Sequence, residues 1–530
     1  MTNFKKLLFI VLITFLSACT SLPENFSKKK SYLLPDTQNS ALGQKAITLL
    51  GDDTENSQMY LLNEGLDAFF SRMFLLKKAE RSIDVQYFIW HADLIGKLLF
   101  NEMLIAADRG VRVRILLDDI NIDDEVADIL TAMDQHENIT VHLFNPFTSR
   151  SLRFTEFITD GYRVNRRMHN KSFTVDGQIT VVGGRNIGSE YFSADEESNF
   201  TDIDVLAIGP IVMDIEKQFD LYFNSEAVYP LNAFDYNQST TQDLERIRAE
   251  LLSFREEKDT SKYAKDIRNS KVFKYWKKIT TDDDADMNFI GNVKVIYDDP
   301  SKGLDKDQKD VVYLKSLMKP HLEKVQHTFE LISPYFVPGE QGTEYLVNLV
   351  KKGINVRVIT NSLSSTDGVM AQSGYARHRV ELLQGGVEIY ELKTDAKTEA
   401  SRSLNQSGKA KSGLHAKIYI FDRKEVFVGS FNFDQRSANI NSEVGVIYQI
   451  PEMAYLIAHE SFDVEAVDFT YKVELVVETD ENGKKKLTNK VVWIENKGGK
   501  EYRYYTDPNT SLWRRMNENI FSVLPIESQL

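Results

Sequence analysis

Two stretches of this sequence carry the same sparse pattern of histidine, lysine and aspartate. His169-Asn170-Lys171-Ser172-Phe173-Thr174-Val175-Asp176 is matched by His415-Ala416-Lys417-Ile418-Tyr419-Ile420-Phe421-Asp422, and both read His-x-Lys-x4-Asp. With nine histidines in the chain and ordinary frequencies of lysine and aspartate, about 0.04 such matches are expected by chance, so a pair points to duplication. Downstream positions repeat too. Gly183-Gly184-Arg185-Asn186 follows the first copy and Gly429-Ser430-Phe431-Asn432 the second, each asparagine 17 residues after its histidine.

These residue types suit the cleavage and re-formation of a phosphodiester. Histidine is the side chain whose ordinary pKa lies near neutrality. One imidazole can attack phosphorus while the other protonates the leaving alcohol, which gives a phosphohistidine. Lys171, Lys417, Asn186 and Asn432 can hold the non-bridging oxygens as charge spreads over them. Such a set needs no metal or cofactor, and no His-x3-His, cysteine cluster or calcium-loop spacing is present. A nucleophilic histidine also needs an acceptor on its second nitrogen. Asp202 and Glu443, at comparable positions after the two motifs, are the candidates, with Asp204 a competitor in the first copy. Asp176 and Asp422 complete the signature and are counted with the catalytic set. Asp176 precedes a turn glycine, however, so turn capping or a structural ion pair competes with direct proton transfer. The remaining histidines lack this context, although His378 is a further candidate for contact with phosphate.

The elements that must position these groups repeat as well. Ser82-Ile83-Asp84-Val85-Gln86-Tyr87-Phe88 corresponds to Phe329-Glu330-Leu331-Ile332-Ser333-Pro334-Tyr335-Phe336, and Gly110-Val111-Arg112-Val113-Arg114-Ile115 to Gly353-Ile354-Asn355-Val356-Arg357-Val358. Apolar spacing predicts a helix over 59–78, a strand over 85–90, a helix over 94–108 stopped by Gly110, and a strand over 111–117. This order predicts an α/β fold with helices over a largely parallel sheet. Residues 172–175 and 179–182 flank Asp176-Gly177 as a hairpin. Each His-x-Lys pair then begins a strand and directs both side chains to one face.

The 530 residues leave room for two such repeats, and a net charge of −14 lacks the basic footprint of a general nucleic-acid binder. The one cysteine, Cys19, follows a basic start, a short apolar run and Leu16-Ser17-Ala18. That arrangement predicts a signal peptide over 1–19. It resembles a bacterial lipoprotein signal, which implies a lipid anchor on Cys19 and an envelope protein facing the periplasm, on the outer membrane. No later segment is apolar over 18 consecutive residues, so no spanning helix is predicted. Residues 20–57 read as a polar tether, 58–235 as the first repeat, 236–285 as a helical linker, 286–468 as the second repeat and 469–530 as a strand-rich extension. Asp282-Asp283-Asp284 reads as a solvated loop and 397–412 as a loop at the site mouth. Trp513-Arg514-Arg515 and the apolar residues after it suit either a helix on lipid or one packed on the domain.

The doubled signature resembles that of the phospholipase D superfamily over roughly residues 60 to 465. Phe144-Asn145-Pro146-Phe147, the run from Arg166 to Phe173, Gly183-Gly184-Arg185-Asn186-Ile187-Gly188 and the ending from Trp513 to Glu527 resemble the C-type bacterial cardiolipin synthases. The resemblance implies tandem phospholipase D-like α/β domains with mixed sheets and one pseudo-twofold active site in a monomer. It implies phosphatidyl transfer between phospholipids through a phosphohistidine, at a membrane, with His169 as nucleophile and His415 as acid and base. A hydrolase of the same fold and a nucleic-acid phosphodiesterase are the competing activities. No nucleic-acid partner is expected.

Overall fold

Runs of apolar and β-branched residues in the two halves build two mixed sheets. The computed structural model describes residues 22–24, 26–149, 153–234, 238–270, 289–304, 312–396, 411–479, 485–524 and 527–530. Cys19, Asp282-Asp283-Asp284 and nearly all of the 397–412 loop lie outside the described residues. In chain order the first strands are β1 (Ser57–Leu62), β2 (Ser82–Tyr87), β3 (Arg112–Asp118), β4 (Ile139–Phe144), β5 (Ser172–Val175), β6 (Ile179–Gly183), β7 (Ser198–Thr201), β8 (Asp204–Ile208), β9 (Val228–Pro230) and β10 (Phe289–Gly291). All but β7 form one sheet in the order β10-β1-β8-β6-β5-β2-β3-β4-β9.

The second half supplies β11 (Val293–Tyr297), β12 (Thr328–Ile332), β13 (Asn355–Asn361), β14 (Glu388–Leu392), β15 (Lys411–Leu414), β16 (Ile418–Phe421), β17 (Glu425–Gly429), β18 (Val444–Tyr448), β19 (Thr470–Thr479), β20 (Lys485–Lys497) and β21 (Lys500–Tyr504). Its sheet runs β11-β18-β17-β16-β12-β13-β14-β19-β20-β21. Without their edges the sheets match strand for strand. β2-β3-β4 and β12-β13-β14 are parallel, and each set joins the hairpin that follows its His-x-Lys pair. The omitted strands, β7 and β15, pair in parallel with each other across the halves.

The sheets also share a core. Met59, Val182, Val205 and Ala207 of the first half pack in one apolar cluster with Ile418, Val426, Val428 and Val446 of the second. Burial of this common face makes the two repeats one body. Helices Gly65–Lys78 and Leu94–Asp108 contribute to a separate core with the first sheet. The second of these starts at Asp93, whose carboxylate accepts the Ile95 and Gly96 N–H groups, and Gly110 turns the chain away at φ 90°.

Three expectations change. Residues 57–62, read in part as helix, form β1, which pairs with β8 and β10. Two partner strands outweigh an apolar spacing that fits either period. The segment read as a tether is strapped to the first repeat. Lys28 donates to the Val228 carbonyl (2.9 Å), Leu33 N–H to Asp220 (2.9 Å), and Leu42 and Ala46 of helix Ala41–Leu50 are buried. The linker helix Thr241–Lys258 likewise buries Leu244, Ile247 and Leu251 in the first repeat's core. No helix among the described residues is long and apolar enough to cross a membrane.

Candidate active site

Each histidine is fixed by its neighbours in one repeat and by backbone from the other. His169 lies just before β5, and its N–H donates to the Ser442 carbonyl at 2.8 Å; Ser442 N–H returns a bond to the Arg167 carbonyl at 2.9 Å. His415 follows β15, and its N–H donates to the Thr201 carbonyl at 2.9 Å. Ser442 immediately precedes Glu443, and Thr201 immediately precedes Asp202. The same backbone device therefore occurs twice, related by the pseudo-twofold.

The side chains cross in the same way. His169 Nδ1 lies 2.8 Å from Glu443 Oε2, and His415 Nδ1 lies 2.6 Å from Asp202 Oδ2. A carboxylate on Nδ1 holds the proton there and leaves Nε2 with a free lone pair. Both imidazoles are packed edge-on against rings, His169 on Phe88 and His415 on Tyr191, at 5.0 Å each. Both are nearly closed off, at 6% and 5% exposure. Burial pushes each down from 6.5 to about 4, against the pull of its own carboxylate. At neutral pH the resting site therefore holds two neutral imidazoles. Asp202 and Glu443 are themselves buried. Burial alone would raise both, but their histidines and the lysines more than offset it and hold them below the usual carboxylate range.

Lys171 Nζ donates to the His169 carbonyl at 2.6 Å, and Lys417 Nζ to the His415 carbonyl. Burial pulls Lys171 well below the ordinary ammonium range and Lys417 down to about 8. The charge of each lysine reaches the other repeat's histidine, as expected of one shared pocket. An entering phosphate anion would restore the positive charge that burial disfavours. Asn186 and Asn432 are buried, and each keeps one amide atom unpaired, Nδ2 of Asn186 and Oδ1 of Asn432. An unsatisfied buried donor costs about 1–3 kcal/mol, which a substrate oxygen at Asn186 would relieve.

The signature aspartates do different work. Asp176 accepts the N–H groups of Glu80, Arg81 and Ser82 (2.7 to 3.2 Å), and Asp422 those of Gln326, His327 and Thr328 (2.7 to 3.0 Å). Each anchors the start of the neighbouring parallel strand. Seven residues of nearly extended chain, roughly 20 Å, separate each from its histidine. Counting them with the reacting groups is therefore corrected to an anchoring job. Asp204, the competitor of Asp202, pairs with Arg72 at 2.7 Å. His378 pairs with Glu527 at 2.9 Å rather than facing the pocket.

Some supporting groups were not evident from the motifs. Ser430 Oγ donates to Glu443 Oε2 at 2.5 Å. Asp118 accepts the Met168 N–H at 2.7 Å and clasps Arg167. Asn361 exchanges two bonds with Leu414. The signal available for the last two is a polar residue at the carboxyl end of a parallel strand, a favoured place for site residues in open α/β sheets. Among the described residues, His91, Asp93 and Glu190 come close enough to suggest a metal cluster. Asp93, however, is already engaged by three backbone N–H groups. A cavity of about 500 Å³ lies behind the segment that joins β15 to β16, lined by Leu414, Ala416 and Ile418, whose side chains alternate with His415 and Lys417.

This geometry agrees with what the chain resembles. The family described as "Cardiolipin synthase, PLD-like domain" matches residues 73–223 and 318–463, one match around each signature. Cardiolipin synthase C of Escherichia coli (strain K12) is 38% identical over 493 residues, spanning 92% of this chain and 99% of that protein. An uncharacterized protein of Helicobacter pylori (strain ATCC 700392 / 26695) is 30% identical over 98% of this chain and 99% of its own. Among solved structures, the phosphatidylserine synthase of Haemophilus influenzae Rd KW20 shares the fold, with a TM-score of 0.52 at 14% identity over 82% of this chain and 92% of that one. Both halves match, and one relative matches over nearly its whole length: the chain belongs to the cardiolipin synthase family of phospholipase D-like proteins.

Proposed function

We propose that this protein is a phosphatidyl transferase that makes cardiolipin. The observation that carries the reading is the crossed pair of buried imidazoles, each with Nδ1 on a carboxylate of the other repeat and Nε2 free. The donor is phosphatidylglycerol or phosphatidylethanolamine, and the acceptor is the glycerol headgroup of a second phosphatidylglycerol. His169 Nε2 attacks phosphorus. The bond from phosphorus to the headgroup oxygen breaks, and His415, which takes up a proton at Nε2 as the anionic substrate enters, gives that proton to the oxygen. His415, now neutral, takes the proton of the acceptor hydroxyl, whose oxygen displaces His169 and forms the new phosphodiester. Nothing is oxidised or reduced. Lys171, Lys417, Asn186 and Asn432 hold the non-bridging oxygens through both steps. Asp202 and Glu443 orient the imidazoles and steady their cationic forms. The small exposure of both histidines favours a lipid alcohol over water as acceptor.

The protein works as a monomer, since one chain holds both half-sites, and it acts on the periplasmic side of the bacterial envelope, tied to the outer membrane by a lipid on Cys19. Incubation of purified protein with labelled phosphatidylglycerol, with and without phosphatidylethanolamine, tests the activity. Labelled cardiolipin is the expected product. Phosphatidic acid alone would make the protein a hydrolase, and intact lipids beside cleaved DNA would remove both lipid readings. Cys19→Ser should lower the share of the protein held on membranes; unchanged retention would shift the attachment to the C-terminal segment.

A further inference from the structure

Two helices at the rim of the site are inside out. In the C-terminal helix Leu512–Ser522, Glu518 is buried, while Leu512 and Trp513 are 73% and 68% exposed and Met516 and Ile520 share their outer face. In helix Arg153–Thr159, Glu156 is buried, bonded to Thr148 and paired with Arg163, while Phe154 and Ile158 are 76% and 74% exposed. A water-facing helix shows the opposite pattern. A single exposed apolar residue needs no explanation, but contiguous ones mark a surface that meets something apolar.

The two helices are tied to one rim. After the C-terminal helix, Arg377 donates to the Leu524 carbonyl and His378 pairs with Glu527. Residues 527–530 then cross between the half-sites. Gln529 accepts from Asn165, four residues before His169, at 2.7 Å, and the Leu530 carbonyl accepts the Arg436 N–H, four residues after Asn432, at 2.7 Å. Arg436 closes the circuit on Asn165 at 2.8 Å. Helix Arg153–Thr159 leads through the short helix Gly161–Val164 into the same Asn165.

We propose that these two helices form one docking face that inserts into the facing layer of a phospholipid bilayer and holds the site mouth against it. The inference deepens the lipid-transfer reading and rests on it, because a substrate with two acyl chains must be drawn from a bilayer. Leu512, Trp513, Met516 and Ile520 on one helix face fit the boundary between headgroups and acyl chains, while Arg514 turns inward to the Thr366 carbonyl. With a net charge of −14 the whole chain is repelled by an anionic bilayer, so apolar insertion, not charge, carries the attachment.

The test uses the full chain and vesicles of phosphatidylglycerol and phosphatidylethanolamine, some with brominated acyl chains. Trp513 emission should be quenched by the brominated chains, Trp513→Phe should lose that quenching, and about 1 M salt, which confines electrostatic attraction to a few ångströms, should not release the protein. The double variants Leu512→Ser/Met516→Ser and Phe154→Ser/Ile158→Ser should each turn over vesicle lipid about tenfold more slowly, yet process a monomeric short-chain phosphatidylglycerol at the wild-type rate. The same loss on the monomeric lipid, no quenching during turnover of vesicle lipid, or release by salt would overturn the docking face. A wild-type chain that acts on neither lipid but still shows the quenching would count against the transfer reading alone.

Discussion

The half-site around His169 and the half-site around His415 share a backbone frame and differ in what stands behind it. At the end of β3, Asp118 holds the Met168 N–H and forms a buried ion pair with Arg167. At the matching end of β13, Asn361 holds Leu414 through a neutral amide, at 3.0 and 2.9 Å. The carboxylates differ as well. Glu443 receives the Ser430 hydroxyl, but the matching residue beside Asp202 is Gly184, where an added Cβ would meet Asp202 Oδ1 at 2.3 Å. The longer acid carries a hydroxyl donor, and the shorter one has no space for it. Because each acid serves the other repeat's histidine, a change in one repeat tunes the chemistry of its partner. Duplication supplies equal frames, and these crossed supports allow unequal jobs.

The largest effect should come from the imidazoles. His169→Ala and His415→Ala should each lower kcat on natural lipid by about 10⁴-fold or more, measured by labelled-lipid turnover. Next comes an attempt to make the half-sites alike. Gly184→Ser should push Asp202 off His415 and cost about 10²–10³-fold in kcat, whereas Ser430→Ala should cost about tenfold, the worth of one charge-assisted hydrogen bond. Equal losses at the two positions would mean that the supports are interchangeable. Asp176→Asn and Asp422→Asn should act on folding, lowering stability by about 1–3 kcal/mol each in denaturant titrations and changing kcat only a few-fold. A loss on the scale of the histidine variants, at unchanged stability, would return both to the chemistry.

The pH dependence gives the finest comparison. Both histidines are held down to about 4, and the first step needs His169 neutral and His415 charged, so kcat/KM should rise as pH falls from 6.5 to about 4 and drop below that value. Over that window the unfolded chain binds more protons than the folded one, so acid also erodes stability. On the alkaline side Lys417 loses its proton near 8, and activity should fall as pH rises through that value. Lys417→Arg should remove this limb if the lysine's charge is its cause.

Much of this was legible because it is written locally. The His-x-Lys spacing, the hairpin turn at Asp176-Gly177 and the strand-helix-strand order are short-range patterns with a mechanical reading. The second hairpin turns on Asp422-Arg423, both at positive φ. That conformation is strained for arginine, and pairing of Arg423 with Glu330 and Asp463 helps to hold it. Asp202 and Glu443 were found by their matched positions. That each would reach across to the other repeat was not legible, since β7 and β15 pair only when the two sheets meet. Ser430 stood in the matched strings, but its bond to Glu443 depends on where β17 and β18 place them. The strapped segment 26–50 opens on Lys28-Lys29-Lys30 and reads as a tether, and contacts with residues such as Asp220 and Val228, far along the chain, help to hold it in place.

The unequal roles are best tested on the covalent intermediate itself. A phosphatidyl ester with a p-nitrophenol leaving group needs no general acid for its first step. Mixed with His415→Ala, it should release a burst of p-nitrophenol and leave a phosphatidyl adduct on the peptide that contains His169, read by mass spectrometry. His169→Ala should give neither burst nor adduct. An adduct on His415 in the wild-type chain, or a burst from His169→Ala, would contradict the assignment of attack to one half-site and proton transfer to the other.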